Sequence, residues 1–164
     1  MPTEVPELDD HDTRILTELQ RDARTSMAEL GRLVHLSQPA VTERVRKLEM
    51  AGFIRGYRAI VDYQRLGYAL RAILRVGRVE YARMVKLIEQ MPEVVNAFNV
   101  TGGDHWIVEI VVIDVEHLDA VVTRFGILAE TTTSIVLNIP REHATVLPAR
   151  REDIKPAIRK VTGR

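Results

Sequence analysis

The chain has 164 residues, of which 46% are hydrophobic and 28% are charged, proportions typical of a globular chain with one compact domain or two small ones. It contains no cysteine, which excludes disulfide scaffolds, thiolate zinc sites and cysteine nucleophiles. The chain has 23 lysine and arginine residues and 23 aspartate and glutamate residues, so its formal net charge is zero. This balance argues against a protein that coats any nucleic acid, but a neutral chain can still carry a local basic face.

The first two predicted elements are helices with clear start signals. The pattern of residues 8–20 predicts a helix with Asp9 as its N-cap and with apolar residues at helical spacing. Ser26 and Glu29 have the spacing of a capping box, which predicts the start of a second helix. Gly31 lowers the helix propensity of that segment, and close packing against a neighbouring helix would explain its presence.

The third predicted helix lies in LSQPAVTERVRKLEMAGFIRGY, residues 36–57. Ser37 is suited to cap this helix, Pro39 falls in its first turn, and Gly52 suits the left-handed residue that ends a helix. Three apolar residues share its inner side: Val41, Val45 and Leu48. Because only a very short turn separates the second and third helices, the pattern predicts a trihelical helix-turn-helix unit.

The second half of the chain changes period. After a β-prone segment at residues 53–63, predicted to form a small wing or connecting strand, apolar and polar residues alternate from Leu70. The predicted elements are a strand over 70–76, a helix from 81 that Pro92 stops, strands over 94–101 and 106–113, a helix after Asp114, and a strand over 134–139. The order β-α-β-β-α-β is that of the ferredoxin-like split motif.

These elements predict two domains. The first is an N-terminal all-α winged helix-turn-helix over residues 1–63, and the second is a C-terminal α+β ferredoxin-like (βαββαβ) sandwich over residues 64–148. A basic tail over residues 149–164 follows, for which simple solvation and auxiliary phosphate contact are both open.

The outer side of the third helix carries polar hydrogen-bonding residues: Gln38, Pro39, Thr42, Glu43 and Arg46, with Lys47 at its edge. The N-terminal residues of a recognition helix reach base edges in the major groove. Gln38 could pair with adenine, Arg46 with guanine or a phosphate, and Thr42 with a thymine methyl group or a phosphate. Glu43 could accept a hydrogen bond from cytosine.

Further residues suit contacts with the DNA backbone. Ser37 and the helix N-terminus are suited to phosphate. Four cations are candidate backbone anchors: Arg44, Lys47, Arg55 and Arg58. A polar helix face usually only contacts solvent. Here the capping box and the short turn predict a helix-turn-helix pair, and this pattern favours DNA binding over simple solvation.

The first part of the chain carries a characteristic set of motifs: Leu8-Asp9, Asp12 with Ile15-Leu16, Arg24-Thr25-Ser26, Leu36-Ser37, Arg44-Val45, Leu48-Glu49, and Gly52 followed by Ile54 and Gly56-Tyr57. In these motifs it resembles the amino-terminal domain of the Lrp/AsnC (feast/famine) transcriptional regulators. The second part, with VTGGDHWIVEIVV and a strand near SIVLNI, resembles that family's amino-acid-sensing domain. The resemblance covers residues 8–148.

The resemblance implies homodimers built through the second domain, often assembled into octamers, and an amino-acid effector bound near the hairpin after the second strand. The matching residues are Thr101, Gly102, Gly103, Asp104, His105 and Trp106. Glycines let backbone N–H groups approach a carboxylate, and Asp104 could hold an ammonium group. A plain hairpin turn explains Gly-Gly-Asp as well. The commonest family form has an acidic residue where His105 stands here, and Asp104 comes one position earlier.

Other classes of function find no support in the sequence. The five histidines are not spaced as metal ligands, and the HExxH, GxSxG, Walker A and GxGxxG motifs are missing, so we expect neither an enzyme nor a cofactor. The acidic start MPTEVPELDDHD does not resemble a signal peptide, and no apolar run approaches ~20 residues, the length of a membrane span. These features predict a soluble cytoplasmic protein that does not act on a membrane.

Three hypotheses of function follow. The first is a sequence-specific regulator that binds double-stranded DNA and responds to a small effector, for which an amino acid is expected. The second is a nucleoid-organising protein that wraps DNA with little sequence choice. The third, a metabolic binding module or enzyme on the ferredoxin-like domain, lacks any catalytic constellation.

Overall fold

A computed structural model describes residues 7–149, which form two compact units. One unit holds the described residues up to Ala59 together with those from His143 onward, and the other holds Ile60–Glu142. The predicted domain bounds stay a prediction, and the predicted basic tail lies, apart from Ala149, outside the described residues. In this described part, no helix is both long and apolar enough to cross a membrane.

The first unit is a three-helix bundle. Its helices are α1 (Asp10–Arg21), α2 (Met27–Leu33) and α3 (Gln38–Met50). All three contribute side chains to one buried cluster: Ile15, Leu19, Leu30, Val34, Val41, Val45 and Leu48. The predicted trihelical unit and the predicted inner side of its third helix are therefore confirmed.

The helix starts follow the local chemistry of the sequence, with one difference. At α1 the Asp9 carboxylate accepts from the backbone N–H of Asp12 at 2.8 Å, and the Asp12 side chain accepts from the Asp9 N–H at 3.3 Å. At α2 the Ser26 hydroxyl accepts from the Glu29 N–H at 3.2 Å. The returning half of the predicted capping box is not formed, because the Glu29 carboxylate pairs with Arg32 one turn later.

Helix α3 ends at a glycine, as predicted. Gly52 has a φ of +77°, and the following Phe53 N–H donates to the Leu48 carbonyl at 3.0 Å, which satisfies a carbonyl of the last turn. The predicted wing or connecting strand at residues 53–63 is not formed in this chain, where the segment carries neither helix nor strand. A strand needs a neighbour that accepts its backbone hydrogen bonds, and none of the described strands pairs with this segment.

The second unit has the predicted order of elements. They are β1 (Leu70–Val76), α4 (Tyr81–Glu89), β2 (Val94–Asn99), β3 (Trp106–Val112), α5 (Val115–Gly126) and β4 (Thr131–Ile135). The sheet order is β2-β3-β1-β4, and every neighbouring pair is antiparallel. This is the split βαββαβ arrangement, so the predicted ferredoxin-like class is confirmed.

One face of this sheet forms the core with the two helices. The alternation in β1 places Ala72, Leu74 and Val76 inward, each fully buried. From the helices, Met84 and Phe125 are fully buried in the same cluster. The Asp114 carboxylate caps α5 by accepting from the backbone N–H of His117 at 2.7 Å.

The opposite face of the sheet carries an ionic network among apolar residues. Ile73 and Arg75 share this face with Glu109, since Ile73 lies opposite Glu109 in the β1–β3 register. Glu109 is only 8% exposed, and its two oxygens accept from the Arg71 guanidinium and from the Asn96 amide. Two donors therefore satisfy a buried carboxylate that lies among apolar neighbours.

The last strand lies earlier in the chain than predicted. β4 pairs with β1 from Thr131 opposite Val76 and ends at Ile135, whereas the prediction was residues 134–139. The later part of the predicted span offers no buried side at residue 137, because Leu137 is 92% exposed. The pairing instead follows the threonine-rich stretch TTTSI.

Candidate functional site

The turn between α2 and α3 is held by tight backbone packing. The Leu36 N–H donates to the Gly31 carbonyl at 2.8 Å, and His35 takes the left-handed conformation with a φ of +59°. A Cβ built on Gly31 would lie 2.7 Å from the Leu36 carbonyl oxygen, closer than real Cβ contacts come. Gly31 therefore packs against the backbone of the turn, which fixes the direction in which α3 leaves α2.

One side of α3 is buried and the other is exposed. Val41, Val45 and Leu48 are at most 5% exposed. The exposed residues include all six that the sequence predicted on the outer side: Gln38, Pro39, Thr42, Glu43, Arg46 and Lys47. We call these six residues the polar face of α3.

The polar face is partly ordered by its own hydrogen bonds. The Thr42 hydroxyl donates to the Gln38 carbonyl at 2.8 Å, which leaves the Thr42 methyl group as its outward apolar part. The Ser37 hydroxyl accepts from the backbone N–H of Ala40 at 3.4 Å and so serves as the N-cap. Among the described residues, nothing hydrogen-bonds the side-chain amide of Gln38.

Arg46 and Glu43 form a bidentate ion pair on this face. Arg46 Nε and Nη2 donate to the two Glu43 oxygens at 2.9 and 2.8 Å, and Nη1 lies 2.8 Å from the Met50 sulfur. The Arg46 hydrogen bond holds the pKa of Glu43 below its usual range, and Glu43 raises the pKa of Arg46. Both groups are charged near neutral pH, and both are about half exposed, so a stronger partner can separate them at small cost.

Arg44 has a different environment from the polar face. Its Nη1 donates to Asp9 and to Asp12, each at 2.7 Å, and its side chain is 32% exposed. The hydrogen bond to Asp12 is the main cause of the raised Arg44 pKa. The guanidinium therefore ties α3 to the capping box of α1, a pairing that no local spacing in the sequence indicates.

Arg55 and Arg58 are exposed in the irregular segment that follows α3. Between them, the Tyr57 hydroxyl donates to the Glu49 carboxylate of α3 at 2.9 Å. Burial, followed by the Glu49 hydrogen bond, raises the pKa of Tyr57 to about 12. The Tyr57–Glu49 hydrogen bond thus holds the segment that carries the two arginines near the end of α3. The sequence pattern did not predict this contact.

The predicted effector residues lie at the β2–β3 hairpin. Gly102 has a φ of +118°, a backbone conformation that favours glycine, and open space surrounds Gly102 and Gly103. The hairpin is pinned to β1, because the His105 N–H donates to the Val76 carbonyl at 3.0 Å. The His105 carbonyl accepts from the Asn99 side chain at 2.9 Å.

Charged and aromatic residues gather beside this hairpin. Asp104 lies 3.8 Å from the Arg75 guanidinium, and both side chains are about half exposed. Trp106 is buried, and its ring centroid lies 5.5 Å from that of Tyr81. Thr101 is exposed at the tip. Sequence reasoning missed Arg75 and Tyr81, because only the sheet register and the packing of α4 bring them to the hairpin.

The described residues contain no cluster of side chains that suggests a metal site. Within residues 7–149, no group of three or more histidine, aspartate or glutamate side chains could hold a metal ion. His117 and Glu93 form a pair at 3.1 Å. It joins the start of α5 to the loop before β2, which is a structural position.

Comparison with protein families assigns both halves of the chain. Residues 8–49 match the family model of the AsnC-type helix-turn-helix domain. Residues 72–146 match that of the Lrp/AsnC ligand binding domain. The two matches cover most of the helical unit and most of the sheet unit.

Individual proteins agree with these matches. The HTH-type transcriptional regulator LrpC of Bacillus subtilis is 33% identical over 133 residues, which span 80% of this chain and 92% of LrpC. The solved structure of LrpC superposes with a TM-score of 0.78 over 82% of this chain and 97% of its own. A transcriptional regulator of Neisseria meningitidis, solved as a complex with L-Met, is 26% identical with a TM-score of 0.79 and covers 85% of this chain and 96% of its own.

Proposed function

Because the chain belongs to the Lrp/AsnC family of helix-turn-helix transcriptional regulators, we propose that it binds specific duplex sites through α3 and that a small effector, an amino acid, changes this binding. Its relatives are transcriptional regulators and not enzymes. The observation that carries the proposal is the division of α3, whose inner side is fully used in the core while its polar face is exposed.

In this proposal the first turns of α3 read base edges in the major groove. Gln38, with its unengaged carboxamide, pairs with adenine, and Arg46 pairs with guanine or a phosphate after it separates from Glu43. Thr42 turns its methyl group toward a thymine methyl, since its hydroxyl already donates to the Gln38 carbonyl. Glu43, once released, can accept from a cytosine amino group.

The remaining predicted residues position the helix on the backbone. The N-terminus of α3, with Ser37 and Pro39, faces a phosphate with its partial positive charge. Lys47, Arg55 and Arg58 supply cations for neighbouring phosphates, and the Tyr57–Glu49 hydrogen bond holds the two arginines near the helix. Arg44 contributes to DNA binding indirectly in this proposal, because its ion pairs with Asp9 and Asp12 fix the orientation of α3.

The hairpin of the sheet unit suits an amino-acid effector. Arg75 and Asp104 place a cation and a carboxylate side by side, which complements the carboxylate and ammonium groups of an α-amino acid. The backbone N–H groups of Gly102 and Gly103 can add hydrogen bonds to the carboxylate. Thr101 and His105 flank these groups, and Trp106 supplies an apolar wall. The relative solved with L-Met supports this class of ligand.

The active form in this proposal is a homodimer that assembles further to an octamer, because two half-sites give the affinity that one helix-turn-helix lacks. The effector shifts the population of assemblies whose reading heads fit the operator spacing. A protein that regulates genes in this way works in the cytoplasm, with the DNA it reads.

Fluorescence polarisation with the protein's own upstream region tests the DNA part. We expect Arg46→Ala to weaken specific binding by about 1–3 kcal/mol. Arg65→Ala, which removes a similar exposed i,i+3 ion pair from the sheet unit, should leave affinity unchanged. Equal effects of the two substitutions, or affinity that does not depend on salt, would contradict the proposal. Periodic protection of any long duplex in a footprint would indicate DNA wrapping instead.

A thermal-shift screen against the twenty amino acids tests the effector part. We expect one class of amino acid to raise the melting temperature of the wild type and to have no effect on Asp104→Asn. The control Asp119→Asn changes an exposed carboxylate of α5 and should keep the response. An unchanged response of Asp104→Asn would remove this residue from the site.

A further inference from the structure

The chain passes between its two compact units twice. The first crossing lies at residues 59 and 60, in the segment that carries neither helix nor strand, and the second lies at residues 142 and 143. Each crossing is held by a side-chain contact in the unit that it leaves and by another in the unit that it enters.

One guanidinium of the sheet unit holds both crossings. The Arg71 guanidinium carbon lies 5.8 Å from the centroid of the Tyr63 ring, and Arg71 Nη1 donates to the Glu142 carboxylate at 2.6 Å. Arg71 Nε donates to Glu109, a carboxylate that is only 8% exposed. Because the buried Glu109 fixes the guanidinium, Arg71 is a rigid attachment point for a residue just after the first crossing and for the residue just before the second.

Two other side chains hold the crossings in the helical unit. The hydrogen bond from Tyr57 to Glu49 holds the start of the first crossing. At the end of the second crossing, Gln20 Nε2 donates to the Val146 carbonyl at 2.9 Å, and the Val146 N–H donates to Gln20 Oε1 at 2.9 Å. We call this reciprocal pair the Gln20 clamp.

The Gln20 clamp is the weakest of these anchors. The other three involve a charged partner, whereas the clamp consists of two neutral hydrogen bonds. The side chains of Val146 and Leu147 are 73% and 62% exposed, so apolar burial contributes little. A hydrogen bond of this kind favours the bonded state by about fivefold, so two of them favour the closed clamp by about 25-fold.

We propose that the two short crossings, residues 58–62 and 143–145, form a double hinge that limits the orientations of the helical unit. Arg71 is its fixed attachment point, and the Gln20 clamp is the anchor that can open. A single irregular connection lets a unit sample many orientations, whereas a second short connection closes a loop and removes most of them. The inference rests on the proposed function, in which the reading heads of a dimer must fit two half-sites, so the closed hinge selects operators by half-site spacing.

Hydrogen exchange of the Val146 amide tests the clamp without DNA. We expect this amide to exchange about 25-fold faster in Gln20→Leu than in the wild type, because leucine cannot accept its hydrogen bond. Arg21→Gln is the matched control on the same helix, since it removes an exposed ion pair with Glu18 and keeps Gln20, and it should retain the wild-type rate. Equal rates in the wild type and in Gln20→Leu would overturn the clamp.

Spin labels report on the hinge directly, because the chain has no cysteine of its own. One label is attached through Ala28→Cys in α2 and the other through Asp119→Cys in α5, both at exposed positions. Dilution with unlabelled protein restricts the measurement to distances within one chain. Pulsed electron paramagnetic resonance then gives the distribution of the distance between the two labels.

The width of this distribution decides whether the hinge restricts the helical unit. We expect a broader distribution in Gln20→Leu and in Glu142→Ala than in the wild type. The double variant should be no broader than either single variant, because both substitutions release the same crossing. A distribution of wild-type width in Gln20→Leu would overturn the hinge.

Operators of different spacing connect the hinge to DNA recognition. The wild type should prefer the native half-site spacing over one changed by about five base pairs, half a helical turn, and Gln20→Leu should reduce this preference severalfold. An unchanged preference, with Arg46-dependent binding intact, would overturn the role of the hinge and leave the proposed function standing. Loss of Arg46 dependence in the wild type would overturn the proposed function itself, on which the exchange and distance measurements do not depend.

Discussion

Gly31→Ala perturbs the contact that aims the polar face of α3. Alanine improves helix propensity by about 1 kcal/mol, but its Cβ would lie 2.7 Å from the Leu36 carbonyl oxygen, a backbone atom that cannot rotate away. Overpacking of this kind costs about 1–3 kcal/mol, and the rigid neighbour places it at the upper end. We therefore expect the free energy of unfolding of the helical unit to fall by about 2 kcal/mol.

Gly126→Ala is the matched control for this substitution. Gly126 is also helical, and a Cβ there meets nothing within 4 Å, so alanine should stabilise by about 0.5–1 kcal/mol. Urea unfolding followed by circular dichroism measures both effects, and Trp106, the single tryptophan, reports by fluorescence on the unit that contains Gly126. If Gly31→Ala stabilises the protein as Gly126→Ala does, the turn is not packed against α2 as described.

Three further changes test the structure around the sites. Asp9→Ala should lower the free energy of unfolding by about 1 kcal/mol, and Asp9→Asn should lower it by less because the amide oxygen still caps α1. Equal losses for the two variants in chemical unfolding would show that the Asp9 side chain does not cap α1. The difference in ultraviolet absorbance between the wild type and Tyr57→Phe isolates the Tyr57 phenol among the four tyrosines and should titrate near its raised pKa of about 12. The stabilising effect of the neutral Tyr57 hydroxyl, complete below pH ~10, should be lost between there and pH 12, and a difference that titrates near pH 10 would contradict the Glu49 bond. Glu109→Ala leaves the largely buried Arg71 guanidinium without its main partner and should destabilise the protein by about 3 kcal/mol. The control Arg65→Ala should change stability by less than about 0.5 kcal/mol. Similar values for the two variants in thermal unfolding would show that the ionic network around Glu109 does not contribute to stability.

Local chemistry explains why much of the fold could be predicted. The caps at Asp9, Ser26, Ser37 and Asp114 bind backbone groups within three residues, so their signals stand close together in the sequence. The buried side of α3 follows from the helical period alone. The bounds of β4 could not be predicted in this way, because they depend on its pairing with β1, which is distant in the sequence.

Contacts between distant residues explain what the sequence could not show. Arg44 stands among the other cations of α3, yet its partners belong to α1, 32 and 35 residues earlier. Arg75 joins Asp104 only through the sheet register and the hairpin. These ion pairs form only through tertiary packing, so the spacing of residues along the sequence does not predict them.

The most direct test of the central claim is a base-by-base binding profile of the wild type and Gln38→Ala on one operator. Each base pair of the operator is replaced in turn, and the affinity is measured at fixed salt. If α3 enters the major groove with its polar face, the wild type loses about 1–3 kcal/mol at an A·T pair of each half-site, and Gln38→Ala loses that discrimination there and nowhere else. Identical profiles for the two proteins would show that this face does not read the DNA.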